Sequence, residues 1–475
     1  MKTIFITSFE GIETKNLLRT PILSTILQFP DVRIVLFTHT EERMAYHKKE
    51  FGDEKIFYEV VPRRHVHGLD WIFQKLKFTL LKTETTDIRR RMKYETNKNF
   101  IAYAARMTAN RILARKSVRL LFRFLDYYLI RNSYYDSYFE KYRPAGVVCA
   151  NLFDESEVDL VRAAKKRNVK TIGFINSWDK VTARSILRIL PDHTIVFNDM
   201  VKDELMRYDH ARAEDIFVGG MPQYDHYVTR PSISREEFFK QLGIHASSKL
   251  MVYAPVGNVY GNSDWAVMDF FHRLIEEGKL GDNVEMLVRF PPNDSINEQE
   301  IAKRPWVRYD APGLRFSDVR GGDWDMDDHD LAHLADTLNA MSLLVGYASS
   351  IAIDAAFFDK PIISINFEVE KNLTPAQSPT SYQQMVHCQT LRRPGGMRFV
   401  QTEAELIEWV KKYFADPSLD REGRKRLVQE QCVYTDGKSG ERIAKFILSL
   451  LLGLTRLRQV QGAAEDSAEN VVYLR

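Results

Sequence analysis

Residues 339–369 read NAMSLLVGYASSIAIDAAFFDKPIISINFEV. The apolar run 343–345 stops at a turn of small residues, Gly346-Tyr347-Ala348-Ser349-Ser350, and an amphipathic stretch over 351–358 follows. Asp359-Lys360-Pro361 then opens a second apolar run, 362–367. This is the pattern of strand, turn, helix and parallel strand. The turn sets hydroxyl residues where a helix starts. Backbone N–H groups and the helix dipole there favour an anion such as a diphosphate. Ser349 and Ser350 are therefore candidate phosphate contacts, and Asp354, one turn further in, is the candidate ribose contact. The alternative is an ordinary βαβ unit whose serines cap a helix.

A chain of 475 residues is too long for one core, so two or three domains are expected. Hydrophobic content of 44% with 28% charged residues describes a globular chain and excludes a disordered or fibrous one. The three cysteines, Cys149, Cys388 and Cys432, lack metal-ligand spacing, and a sparse odd count fits a reducing cytoplasm. The opening MKTIFITSFEGIE reads as a first strand and its loop, because Glu10 and Glu13 interrupt the apolar run that a signal peptide would continue. The longest apolar stretch, 446–454, is about half of the roughly 20 residues a membrane span needs. The expected location is the cytoplasm, peripheral at most to the inner membrane face.

Strand and helix periods alternate from the start: strands at 2–9, 32–38 and 56–61, helices at 17–29 and 41–51. They return at 146–152, 155–166, 170–176, 193–198, 200–208 and 216–219. Between them, 71–135 is helical and rich in Arg and Lys with interleaved aromatics. A polar segment at 227–236 with Pro231 marks a connection. The second half repeats the theme, with strands at 250–254, 284–290, 343–345 and 362–366 and helices at 265–278, 330–341, 350–358 and 403–415. The expected organisation is α/β: two doubly wound, Rossmann-like domains facing a cleft. They span 1–228, with a basic helical insertion at about 70–140, and 229–453, followed by a flexible tail at 454–475.

Further segments carry candidate chemistry. Val288-Arg289-Phe290-Pro291-Pro292 ends a strand, where ligands of open α/β sheets bind, and the Arg289 guanidinium suits a phosphate. The alternative is a strand simply ended by prolines. Asn176-Ser177-Trp178-Asp179 follows another strand, and the Asp179 carboxylate suits a general base for an acceptor hydroxyl, against a plain turn aspartate. The loop from Pro255 through Gly257 and Asn258 follows the first strand of the second half, and glycine there permits close backbone approach to a phosphate. Glu10, Glu13 and Asp154 follow strands on the acceptor side. Asp323, Asp325, Asp327, Asp328 and Asp330 with His329 lack the glycine and glutamate of an EF-hand, so they read as a solvated loop capping a helix, with no metal expected.

Residues 339–369 resemble the donor-nucleotide motif of glycosyltransferases with the two-domain GT-B fold. Over 145–450 several segments resemble the CDP-glycerol glycerophosphotransferase group of surface-polymer transferases. Asn176–Asp179 is similar to its Trp-His-Gly segment, with Asp179 at the histidine. Arg289–Pro292 is similar to Arg-x-His-Pro, with Pro291 at the histidine. Gly220, Pro222 and Asp225 fill a Gly-x-Pro-x-x-Asp segment, and Asp436-Gly437 through Arg442-Ile443 resembles the closing motif. The resemblance implies a metal-independent GT-B glycosyltransferase in surface polysaccharide or glycoconjugate assembly. A nucleotide-sugar would be its co-substrate, with no separate cofactor. Donor contacts fall to Gly257, Asn258, Arg289, Ser349, Ser350 and Asp354. Catalysis falls to Asp179 and Arg289, and the acceptor side to Glu10, Glu13, Asp154 and Trp178. The alternatives are a CDP-glycerol-type glycerophosphotransferase, a UDP-sugar 2-epimerase and a non-catalytic nucleotide-sugar-binding protein. The acceptor would be a glycan or lipid-linked. For 71–135 two readings stand: an insertion with aromatics packed inward and arginines facing water, or a surface docking on an anionic membrane. No nucleic-acid module is visible.

Overall fold

The computed structural model describes residues 1–229, 233–257, 263–316 and 323–453. Asn258, Pro231 and the tail at 454–475 lie outside the described residues. The chain divides into two compact units, each built on a parallel sheet.

In the first unit, β1 (Lys2–Thr7), β2 (Val32–Thr38), β3 (Ile56–Val60), β4 (Gly146–Cys149), β5 (Lys170–Phe174), β6 (His193–Val196) and β7 (Ile216–Val218) pair in the order β3-β2-β1-β4-β5-β6-β7. In the inner strands, runs of β-branched and aromatic residues are buried on both faces, as parallel strands covered by helices require. Phe5, Phe37 and Val147 lie in one core layer and Ile4, Ile34 and Val148 in the other.

In the second unit, β8 (Lys249–Ala254), β9 (Val284–Arg289) and β10 (Arg308–Asp310) are followed by a short antiparallel pair, β11 (Leu314–Arg315) and β12 (Trp324–Asp325). With β13 (Leu343–Gly346), β14 (Ile362–Ile365) and β15 (Arg398–Val400), the main sheet runs β10-β9-β8-β13-β14-β15. The strand order reverses between β1 and β4 in one sheet and between β8 and β13 in the other. Such reversals leave a crevice beyond the carboxyl ends of the strands, where ligands of this architecture bind.

The expected boundary, which assigns 229–453 to one domain, differs from the observed division. The first unit takes Met1–Asp87, Ile101–Thr229 and the described residues from Cys432 on; the second takes Ile88–Phe100 and 233–431. The last helix, Ser439–Leu452, buries Ile443, Ile447 and Leu448 among Ile4, Ile22 and Ile34 of the first sheet. Its apolar stripe completes a core layer of the first sheet.

The insertion is helical, with helices Gly68–Thr79, Glu84–Asn97, Phe100–Leu113, Lys116–Leu129 and Asp136–Tyr142. The orientation of helix Lys116–Leu129 is the reverse of arginines outward. Arg119 donates from Nε to the Leu80 carbonyl at 2.9 Å and from Nη1 to the Tyr208 carbonyl at 2.7 Å. Arg123 binds the Leu187 carbonyl at 2.9 Å and the Asp209 carboxylate at 2.5 Å. Asp126 receives Arg188 Nε at 2.7 Å and Arg162 Nη2 at 2.5 Å. Leu120, Leu121, Phe124 and Tyr128 face outward. Helical period marks two stripes on this segment; the buried polar layer beneath it decides which one turns inward.

Candidate functional site

The crevice between β1 and β4 gathers carboxyl groups. The chain leaves β1 through Ser8 into a short helix, Gly11–Glu13, and then a π-helical turn, Thr14–Leu18. Turns of that kind are rare and recur at functional sites. Glu13 is buried, and its Oε2 accepts the N–H groups of Phe9 at 2.5 Å and Glu10 at 3.2 Å. Its Oε1 is buried without a hydrogen-bond partner. After β4, Asp154 caps helix Glu155–Lys166 by accepting the Ser156 N–H at 2.8 Å. One turn on, Glu157 accepts the Thr7 hydroxyl at 2.8 Å and the Asn151 N–H at 2.7 Å. Lys180, also buried, donates to Asn151 Oδ1 at 3.0 Å.

Crowded acids share this crevice with one amine. Burial, then the charges of Glu10 and Asp154, push the Glu13 carboxyl up to about 8, against the Phe9 N–H and Lys180. Burial and Glu13 likewise hold Glu157 well above the usual carboxylate range. Burial lowers the Lys180 ammonium from its ordinary value, opposed by Glu13, Glu10 and Asp179. At a value near 8, Glu13 keeps a proton at neutral pH.

Asp179 stands at the entry of the short helix Lys180–Ala183, half-buried, and accepts the Ser177 hydroxyl. Trp178 beside it is half-buried. The buried side chain of Asn176 has no partner for either amide atom, and its carbonyl accepts from Asn16 Nδ2 at 2.9 Å. Glu204, raised to about 8 by burial and then by Asp179 and Asp203, ends a helix just before a second π-helical turn, Leu205–Asp209. Asp179 is therefore linked by charge to both Lys180 and Glu204.

At the second reversal, β8 and β13 end side by side, Ala254 opposite Gly346. A Cβ on Gly346 would lie 2.7 Å from the Ala254 carbonyl oxygen, so only glycine lets the strands approach there. Ser350 opens helix Ile351–Phe357 without a side-chain capping bond and is exposed; Ser349 is half-buried and Asp354 buried. The capping alternative for Ser350 is not what the structure has. Gly257 takes a positive φ of 79°, as its loop requires. Its N–H is engaged with Asp264 Oδ2 at 2.8 Å rather than open for a phosphate. Asp264 also accepts the Val256 N–H at 3.1 Å and the Tyr253 hydroxyl at 2.6 Å.

Arg289 ends β9, buried, and its Nη1 pairs with Asp310 of the neighbouring strand at 3.1 Å. Asp310 also meets His333 Nε2 at 3.0 Å. Burial raises the Asp310 carboxyl, but the His333 bond and the Arg289 charge outweigh it and hold it below its ordinary value. In the acidic loop, Asp327 caps helix Asp328–Ala340 by accepting the Asp330 N–H at 2.8 Å. Asp327, His329 and Asp330 offer ligand atoms within 4.8 Å of one another at this helix start.

Sequence reasoning missed Glu157, Lys180, Glu204 and Asp264. Glu157 had a usable signal, three residues past a capping Asp at the end of a strand. Asp264 had another, at the start of the helix that follows the glycine loop. Glu204 had none in its local sequence.

A family model described as CDP-Glycerol:Poly(glycerophosphate) glycerophosphotransferase matches residues 176–449, more than half of the chain. A search of curated proteins returns no match. Among solved structures, the S. aureus MnaA–UDP co-structure is similar at 10% identity and a TM-score of 0.53, covering 96% of this chain and 98% of that one. UDP-GlcNAc 2-epimerase from Neisseria meningitidis bound to UDP-GlcNAc is similar at 11% identity and 0.51, covering 94% and 100%. The wall teichoic acid polymerase TagF, soaked with CDPG, reaches 13% identity and 0.48, covering 95% and 89%. The two likenesses above 0.5 concern the fold alone, which is of the GT-B type with two doubly wound halves. The matched segment holds Asp179, Asp225, Arg289, Ser349, Ser350 and Asp354, and by it the chain belongs to the CDP-glycerol:poly(glycerophosphate) glycerophosphotransferase family, a family of transferases.

Proposed function

We propose that this chain is a metal-independent glycosyltransferase that moves a sugar from a nucleotide-activated donor to a hydroxyl of a glycan or lipid-linked acceptor at the inner membrane face, in surface-polymer assembly, with no cofactor besides the donor. The observation that carries the reading is that candidate residues sit at the strand-order reversal of both sheets. In the second unit, Ser349 and Ser350 meet the diphosphate, Asp354 the ribose, and the Nε edge of Arg289 the charge that develops on the leaving phosphate. Asp264 holds the glycine loop in shape beside them. In the first unit, Glu10, Glu13, Asp154 and Trp178 bind the acceptor, and Asp179 takes its hydroxyl proton.

Asp179 at the first of the two family histidines supports glycosyl over glycerophosphoryl transfer. An anomeric carbon develops positive charge in transfer, which a carboxylate such as Asp179 favours. The two reactions leave different products. From a diphosphate-linked donor, sugar transfer breaks the bond from the anomeric carbon to oxygen and releases a nucleoside diphosphate; glycerophosphoryl transfer breaks the pyrophosphate and releases a monophosphate. A thermal-shift screen of UDP-, GDP-, CDP- and CMP-linked donors, followed by identification of the released nucleotide in the presence of chelator, tests the proposal. Release of a monophosphate from a UDP-, GDP- or CDP-linked donor, or a requirement for added metal, overturns it.

The crowded carboxyls of the first unit also support a second reading, a UDP-sugar 2-epimerase, since proton transfer at a sugar carbon needs such groups. An epimerase converts the donor with no acceptor present, and that single incubation separates the two.

A further inference from the structure

Arg289 is buried with much of its guanidinium unbonded. A guanidinium carries five N–H groups in one plane. The Arg289 side chain is 4% exposed, and its Nη1 is bonded to Asp310 Oδ2 at 3.1 Å. Its Nε and Nη2 make no hydrogen bond among the described residues. Keeping a cation out of water with most of its donors unbonded is costly. An anion completes the group, since the Nε–Nη2 edge matches two oxygens of a phosphate.

The bonded end is held by two further elements. Arg289 and Asp310 stand opposite each other in the parallel register of β9 and β10. The Phe290 N–H donates to the Asp310 carbonyl at 3.1 Å and fixes the backbone under the pair. His333 Nε2 meets the other carboxylate oxygen, Oδ1, at 3.0 Å. Nε2 is the donor there, because an ionised carboxylate only accepts. His333 comes from helix Asp328–Ala340, and the Phe238 ring packs against its imidazole with centroids 5.6 Å apart. The same helix is tied to the loop after β10, where Asp330 Oδ2 accepts the Gly313 N–H at 3.0 Å. With both oxygens engaged, the Asp310 carboxylate cannot turn away from Nη1. We propose that Asp310 and His333 are positioning residues that clamp one end of the Arg289 guanidinium and so present its Nε–Nη2 edge to a phosphate of the donor. The inference rests on the reading of Arg289 as a donor-phosphate contact and adds the two groups that act through it. An ion pair that only stapled the edge strand β10 would change stability and leave donor affinity alone.

The test is calorimetry of the full chain with UDP, GDP and CDP, followed by a mutant cycle on the diphosphate that wild type binds. Arg289→Gln is expected to weaken that diphosphate by at least about tenfold. Asp310→Asn, which leaves Arg289 in place, is expected to weaken it about tenfold, and His333→Ala about threefold. His333→Gln, whose amide N–H can stand in for Nε2, should stay within about twofold of wild type. In the Arg289→Gln background, Asp310→Asn and His333→Ala should each add less than about twofold, because their effect passes through the missing guanidinium. Unchanged affinity in Asp310→Asn and His333→Ala overturns the proposal and leaves Arg289 as a donor contact. Losses that persist in the Arg289→Gln background overturn it as well, in favour of a general loosening of the strand. Unchanged affinity in Arg289→Gln, or no diphosphate bound by wild type, counts against the donor reading itself, and this inference falls with it. Should Asp310→Asn fail to fold, the two His333 variants, alone and with Arg289→Gln, decide the question. His333 is 30% exposed, and Asp310 keeps its Arg289 partner without it.

Discussion

The carboxylate of Asp225 accepts the backbone N–H of Gly440 at 2.7 Å, across 215 positions of sequence, and that of Ser439 at 3.0 Å. One side chain thus fastens the start of the last helix to the first unit. Gly440 is needed there for space, since a Cβ would lie 2.8 Å from the Pro21 ring. Asp225→Ala leaves two buried N–H groups without an acceptor and is expected to lower stability by about 1–3 kcal/mol. Urea unfolding followed by fluorescence measures it; an unchanged midpoint would mean that the helix is held by its apolar face alone.

The buried carboxyls give the first unit a pH signature. Glu13 and Glu204 titrate near 8 in the folded protein because burial and neighbouring acids penalise their charge. In the unfolded chain they titrate at their ordinary value, near 4.3. The folded state therefore holds more protons between those values. Their contribution to stability is complete below the unfolded value and is lost as pH rises through the folded one. Thermal stability should fall between about pH 5 and 9. Glu13→Gln, which keeps the amide-like shape but no proton to lose, should flatten that fall in differential scanning calorimetry.

Asp126 is fully buried between Arg162 and Arg188. Removing the acid leaves two buried guanidinium groups short of a partner, so Asp126→Ala should cost about 3–5 kcal/mol. Chemical denaturation checks this. Leu121→Glu on the opposite side of the same helix should cost little, which separates the two faces of the helix in one experiment.

Donor binding should depend on the β8–β13 crevice. Asp354→Ala is expected to weaken donor affinity by about 1–3 kcal/mol if the ribose hydroxyls bond to it. Asp264→Ala is expected to weaken it as well, by releasing the Val256 and Gly257 N–H groups from their anchor. Calorimetry on folded variants reads both. Equal donor affinity in Asp354→Ala removes that residue from the site.

The alternating halves were legible because parallel strands are apolar throughout and their crossovers carry a helical period. Edge strands β10 and β15 were not, since three residues of mixed burial make no pattern. The ligand-side reversal in the second sheet was visible in residues 339–369, because one strand, turn and helix are contiguous there. The first-unit site was only half visible. Glu10, Glu13 and Asp154 announce themselves as acids after strands, but Glu157 joins Glu13 only through the pairing of β1 with β4. Gly257 looked like a phosphate contact because a loop glycine shows its freedom in sequence and hides its hydrogen bond. The direction in which helix Lys116–Leu129 faces depends on Asp209, Arg162 and Arg188, far away in the chain, so no local period could give it.

We propose Asp179 as the group that takes the acceptor proton. The direct measurement is transfer rate and donor affinity for Asp179→Asn, a change that keeps size and hydrogen bonding and removes the basic carboxylate. Transfer should fall by about 10²–10⁴-fold while donor affinity and folding stay as in wild type. Wild-type transfer by the folded variant would contradict the assignment and move the search for the base to Glu13 and its neighbours.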